Sequence, residues 1–192
     1  MMRSVELVDH NSLGELSIAR ASAVCYDSNP NDVTRVTRIK KLKHLSCFGF
    51  SYATFEFKGI SRACADQIRT HRTLNHLMRS QRYCNESEAE FLVPDKIAGN
   101  EEARAIMAKH LVSVRESYAK LREAGMKRED ARSVLPMSTT TQMTTSGTLE
   151  GWLNFLRARL GKHAQKEVRE VAQEVLKQLK QKFPLAMAGE GE

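Results

Sequence analysis

From Met137 to Gly147 the chain reads MSTTTQMTTSG, a run in which β-branched threonines dominate and which Gly147 closes. Threonine loses rotamer freedom in a helix and packs well on a pleated surface, so this run favours an extended strand. Directly behind it, Leu149 to Leu160 carries Trp152, Leu153, Phe155 and Leu156. Ala164 to Phe183 then carries Val168, Val171, Val175 and Leu179 at a spacing that makes an amphipathic helical face. A strand that feeds two such helices asks for a core shared by both kinds of element, and the predicted class is α+β.

The rest of the chain fits that class. Ser4 to Val8 alternates apolar and polar residues and reads as a strand. Leu13, Leu16, Ala19 and Ala23 recur at helical spacing after Asn11 or Ser12 as N-cap, until Asp27 to Asn31 breaks the pattern. Asp32 can cap a second, basic helix through Arg35, Arg38, Lys40, Lys41 and Lys43. Phe50 to Phe57 is predicted as a strand with aromatic residues on both faces, ended by Gly59. Ser61 is predicted to cap a helix over Ala63 to His76, and an amphipathic helix runs from about Glu101 to Glu123, stopping at Gly125. Glu129 to Val134 makes one further helical turn before Pro136. With 192 residues, no internal repeat and no long linker, the reading is one domain over residues 1–185, with 186–192 as a frayed tail.

The apolar runs are too short to span a bilayer, and MMRSVELVDH lacks the basic-then-apolar order of a secretory signal, so a cytoplasmic location and no membrane contact are expected. Cys25, Cys47, Cys64 and Cys84 form no CxxC, which disfavours a zinc knuckle or redox dithiol. They read as free thiols, mostly buried, and no metal site is expected. A formal charge of +7 suits an anionic partner. Aromatic residues make up only 6%, and neither an RNP-like strand nor a helix-turn-helix spacing is present, so nucleic acid is not the expected partner.

The densest polar cluster is QIRTHRTLNHLMRSQRY, Gln67 to Tyr83, which stacks Arg69, His71, Arg72, His76, Arg79 and Arg82. A guanidinium presents a planar fork to a phosphate or a pyrimidine carbonyl, so converging arginines make an anion site rather than a general base. A solvated basic helix face is the plainer alternative.

This stretch resembles the signature of the flavin-dependent thymidylate synthases, RHRxxSxNExSxRY, with a Gln three positions ahead of it. Gln67, His71, Arg72, Ser80, Arg82 and Tyr83 match, whereas Thr70, Asn75, Leu77 and Met78 depart. Downstream, ARSVLPMSTTT and GWLNFLRARLGKHAQKEVRE resemble the family's AR-x-x-LP segment and its NFL-x-x-R-x-x-x-HAQ-x-E-I helix, with Arg132, Asn154, Arg159, His163 and Gln165 in register. Upstream, His44 and Ser46 match a His-x-Ser/Thr pair, although Gly49 and Phe50 stand where Glu-His usually follows. Blocks in order at matching spacing are far more specific than any one motif.

The resemblance implies the fold of that family, a mixed sheet packed with helices. It also implies a homotetramer with sites at subunit interfaces, where FAD, NADPH and methylenetetrahydrofolate convert dUMP to dTMP. Arg82 and Arg132, with Gln67, Ser80 and Gln81, would hold the nucleotide phosphate and sugar. Arg159 would lie against the uracil as the catalytic residue, stabilising the enolate-like charge that builds on the ring before C5 attacks a methylene group. His44, Ser46, His71, Arg72, Asn154 and His163 would contact FAD. The flavin rather than a side chain would supply the hydride, which agrees with the absence of a cysteine in the Pro-Cys-His context used by the folate-only thymidylate synthases.

The departures are uneven. Thr70, Thr148 and Glu150 fall on positions the family uses near the flavin, Glu150 standing where an Arg is frequent, while Met78 replaces a Glu that touches the nucleotide. This pattern keeps a second reading open: a diverged relative that binds a pyrimidine nucleotide and modifies it differently, or only senses it, with flavin dependence altered or lost. A third, a basic nucleic-acid-binding protein, would show steep salt dependence.

Overall fold

The computed structural model describes residues 2–191. The chain is α+β, with eight helices described and a four-stranded antiparallel sheet in the order β1-β2-β4-β3. The elements are β1 (Ser4–His10), α1 (Glu15–Tyr26), α2 (Arg35–Lys41), a 3-10 turn (Leu45–Phe50), β2 (Tyr52–Ser61), α3 (Arg62–Arg69), β3 (Leu74–Met78), α4 (Asp95–Ala98), α5 (Glu101–Glu123), α6 (Arg128–Ala131), a 3-10 turn (Arg132–Val134), β4 (Thr140–Thr148), α7 (Leu149–Arg159) and α8 (Lys166–Lys182).

The residues gather into two compact units whose segments alternate along the chain. Among the described residues the first comprises 2–3, 58–65 and 78–143, and the second 4–57, 66–77 and 144–191. In the second unit, β2 turns Ala53, Phe55 and Phe57 inward, all fully buried. Phe55 meets the Trp152 ring edge-on at 4.9 Å, and the indole N–H donates to the Ala53 carbonyl at 2.9 Å. The α8 stripe of Val168, Val171, Val175 and Leu179 is buried, as its spacing predicts. In the first unit α5 buries only Val114 and Tyr118. The Tyr118 hydroxyl accepts from the Glu86 N–H at 3.2 Å.

Five expectations are corrected. Helix α1 starts after Gly14, not on Asn11 or Ser12; the Asn11 amide instead ties the preceding turn through the Gly14 carbonyl and the Ser17 hydroxyl. Strand β2 begins at Tyr52 and runs through Gly59 to Ser61, because Gly59 takes a φ of 64° that a side chain would resist. The helix over Ala63 to His76 stops at Arg69, and Leu74–Met78 pairs with β4 instead. Of the cysteines only Cys64 is buried; Cys25 is exposed, and Cys47 and Cys84 lie between. Residues 186–191 are not frayed: Ala186 and Met187 are fully buried, and the Ala186 N–H donates to the buried Glu15 carboxylate at 2.6 Å. Lys40 binds the Ala188 carbonyl, and Lys40 and Arg157 both pair with Glu190. Glu192 lies outside the described residues.

Candidate active site

In the second unit, Arg159 ends α7 and reaches the short stretch where α3 gives way to β3. Its Nε–H donates to His71 Nε2 at 3.0 Å, and Nη2 donates to the Gln67 carbonyl at 3.1 Å and the Thr70 hydroxyl at 2.9 Å. A guanidinium has five N–H donors and no acceptor. These three bonds fix its plane, and the Nη1 edge is left for another acceptor.

Because Arg159 can only donate, His71 Nε2 must carry a lone pair, which makes His71 a neutral imidazole protonated at Nδ1. Burial holds the His71 pKa below its ordinary value, and the charge of Arg159 lowers it further. Phe155 closes one side, its ring edge-on to the imidazole at 5.1 Å. The Gln67 amide donates to the Gln165 side chain just before α8, which ties the HAQ segment to α3.

Close approach makes this geometry possible. A Cβ on Gly151 would lie 2.9 Å from the Thr73 carbonyl, and one on Gly147 would lie 2.2 Å from Leu74 Cδ2. Only glycine lets α7 and β4 pack this tightly against the Thr73–Leu74 turn.

The remaining residues expected at a flavin are exposed and polar. Arg72 has no hydrogen bond or ion pair with another described residue. His44 Nδ1 shares a hydrogen bond with the Tyr26 hydroxyl at 2.9 Å, Ser46 is exposed, and Asn154 is exposed on α7. The His163 ring covers Gly161, where an added Cβ would lie 2.6 Å from its Cε1.

Ser80, Gln81, Arg82 and Arg132 belong to the first unit. The Arg82 N–H donates to the Ser80 hydroxyl at 3.2 Å, which curls the signature loop. Gln81 is only 6% exposed, and its Nε2 has no partner. A buried amide without a partner costs about 1–3 kcal/mol, which makes it a ready donor to a ligand. Arg82 and Arg132 converge on one residue that the sequence did not single out: Glu129 accepts from Arg82 Nε on its carboxylate at 2.6 Å and from Arg132 Nε on its carbonyl at 3.2 Å. Both guanidinium groups keep their Nη donors free for an anion. Thr70 was also missed as a contact, because it reads as a lost arginine, yet its hydroxyl helps to hold Arg159. Among the described residues no group of three or more His, Cys, Asp or Glu could hold a metal, and no helix is long and apolar enough to cross a membrane.

Known proteins give this arrangement a context. The family model described as thymidylate synthase complementing protein matches residues 6–185. The chain is 29% identical to the flavin-dependent thymidylate synthase of Mycolicibacterium gilvum, an alignment covering 86% of this chain and 75% of that protein. It is 29% identical, with the same coverage, to the flavin-dependent thymidylate synthase of Mycobacteroides abscessus. To that of Mycobacterium sp. strain JLS it is 28% identical over 91% of this chain and 79% of the relative. The match spans both units and every residue of the Arg159 cluster, and the chain belongs to the thymidylate synthase complementing protein family.

Proposed function

We propose that this chain is a flavin-dependent thymidylate synthase that methylates dUMP to dTMP, taking the one-carbon unit from methylenetetrahydrofolate and reducing equivalents from NADPH. The observation that carries the reading is Arg159, locked by three hydrogen bonds with one donor edge to spare. Ionisation of the uracil ring places negative charge on its carbonyl oxygens, and that charge must be held until C5 attacks. A fixed guanidinium offers that charge two N–H donors without having to reorganise. His71 stays neutral and cannot take the place of Arg159 as the cation at the ring.

In this reading Arg82 and Arg132, oriented through Glu129, bind the nucleotide phosphate, with Ser80 and the unpartnered Gln81 amide of the same unit at the sugar, and Gln67 carries its nucleotide assignment by resemblance. The donor set also suits FAD. Arg72 supplies a free cation for the pyrophosphate, and His44, Ser46, Asn154 and His163 are exposed donors or acceptors for the rest. Gly49 leaves open backbone beside them, since a Cβ there would meet nothing nearer than the Glu150 carboxylate at 4.0 Å. The bound flavin supplies the hydride chemistry, and the protein positions the substrates. The working form is a cytoplasmic homotetramer with sites at subunit interfaces.

The first test is the visible spectrum of purified protein after incubation with FAD and removal of free flavin, followed by dTMP formation from dUMP. A retained flavin that NADPH bleaches, with dTMP produced, is the expected result. Protein that keeps no flavin while dUMP still raises its Tm would favour the pyrimidine-binding relative instead.

A further inference from the structure

All three partners of Arg159 lie between Gln67 and His71, so whatever fixes that stretch fixes the guanidinium. One side chain outside the signature matches does so. His76, on β3, directs Nε2 at the His71 carbonyl at 3.3 Å, and the same carbonyl accepts from the Leu74 N–H at 3.0 Å. Its Nδ1 meets the hydroxyl of Thr145 at 3.1 Å, a buried residue of β4.

The protonation pattern is set by the partners. A carbonyl can only accept, so His76 carries its proton on Nε2, and Nδ1 accepts from Thr145. His71 has the opposite tautomer, with Nε2 bare for Arg159. The charged groups facing the pair are Arg159 from α7 and Arg69 from the end of α3, both cationic. Burial is the largest cause holding both imidazole pKa values below the ordinary value; Arg159 adds to it at His71, while at His76 the bond to the His71 carbonyl pulls upward and Arg69 downward.

We propose that His76, braced by Thr145, is a positioning residue for Arg159: its bond to the His71 carbonyl pins the turn from which His71, Thr70 and Gln67 hold the guanidinium. The inference rests on the reading of Arg159 as the group that contacts the pyrimidine. The path runs from paired strands to the side chain through two hydrogen bonds on the β3 side and the Arg159–His71 bond on the other. Without it, the His71 carbonyl keeps only the Leu74 N–H, and the long Arg159 side chain regains rotamer freedom.

The test compares His76→Leu, which removes both ring nitrogens, with His76→Gln, whose amide can place a donor where Nε2 lies. Thr145→Val, close to isosteric, serves as a second variant should His76→Leu fail to fold. For each, dUMP affinity is measured by calorimetry across pH, and exchange of the Arg159 Nε–H and the His71 tautomer are read by nitrogen NMR. The expected result is a dUMP Kd raised about tenfold by His76→Leu and less by Thr145→Val, with His76→Gln near wild type. Arg159 Nε–H exchange speeds up in the same order. Unchanged dUMP affinity and exchange in folded His76→Leu would overturn the proposal. If wild-type protein binds no dUMP, the functional reading fails instead, and the exchange rates alone decide the positioning role: faster in His76→Leu supports it, equal overturns it.

Discussion

Arg159 carries the most direct consequence of the site. Replacing it with alanine removes three hydrogen bonds from partners that are half exposed, at a cost of about 0.5–1.5 kcal/mol each before water replaces them. The fold should survive with a modestly lower Tm while dTMP formation is lost; unchanged turnover would remove the residue from the mechanism. Arg159→Lys should be nearly as inactive, since one ammonium cannot bond His71, Gln67 and Thr70 in a plane and still present a second donor edge. Acid should act on the same contact. The folded pKa of His71 lies below its ordinary value, so the unfolded chain binds a proton more readily. The stability His71 contributes is full above its unfolded pKa and is lost as pH falls through the folded one. Over that fall His71 Nε2 becomes a donor facing a donor, and dUMP affinity should drop with a midpoint below the usual histidine range. An Arg159→Ala background should abolish that pH dependence, and titration by calorimetry checks it.

Elements meet around the Thr73–Leu74 turn because two glycines let them. Gly151→Ala puts a methyl group 2.9 Å from the Thr73 carbonyl, which is backbone and cannot rotate away. The turn or α7 must shift, at a cost of about 1–3 kcal/mol, and the shift falls on the Arg159 cluster. The variant should therefore lose more dUMP affinity than its drop in Tm accounts for, measured by denaturation and calorimetry together. Sequence made much of this layout readable. The β4–α7–α8 run was legible because threonine content and apolar spacing agree with the tertiary environment. Strand β3 was not, because LNHLM is short, sits in helical composition, and becomes a strand only by pairing with a partner far along the chain. Residues 186–191 read as a tail because small residues and glycine carry no periodicity; only the buried Glu15 carboxylate and the Lys40 and Arg157 pairs to Glu190 reveal that they are packed. At the site, spacing marked Gln67, His71 and Arg159. It could not mark Thr70, His76 or Glu129, whose roles come from what each touches.

For the whole molecule, the surface of α5 argues for assembly. This helix of 23 residues buries only Val114 and Tyr118, while Ile106 is 65% and Val112 57% exposed. Its start is secured locally, by Asn100 accepting from the Ala103 N–H, so the helix does not depend on burying Ile106 or Val112. Exposed branched apolar residues on a long helix gain about 1.5–3 kcal/mol each when fully covered, and the proposed homotetramer supplies the cover. Light scattering should give four times the chain mass. Ile106→Glu separates assembly from folding, because a residue so exposed in one chain contributes little to that chain's own core. If copies of the chain cover α5, the variant should keep its helical content and its unfolding midpoint at high dilution but show a reduced mass at working concentration. Where sites are completed at subunit interfaces, dTMP formation should fall with the mass, and raising the protein concentration should restore both. A variant that remains tetrameric would place α5 outside the interface, and one that dissociates with full activity would place the whole site within a single chain.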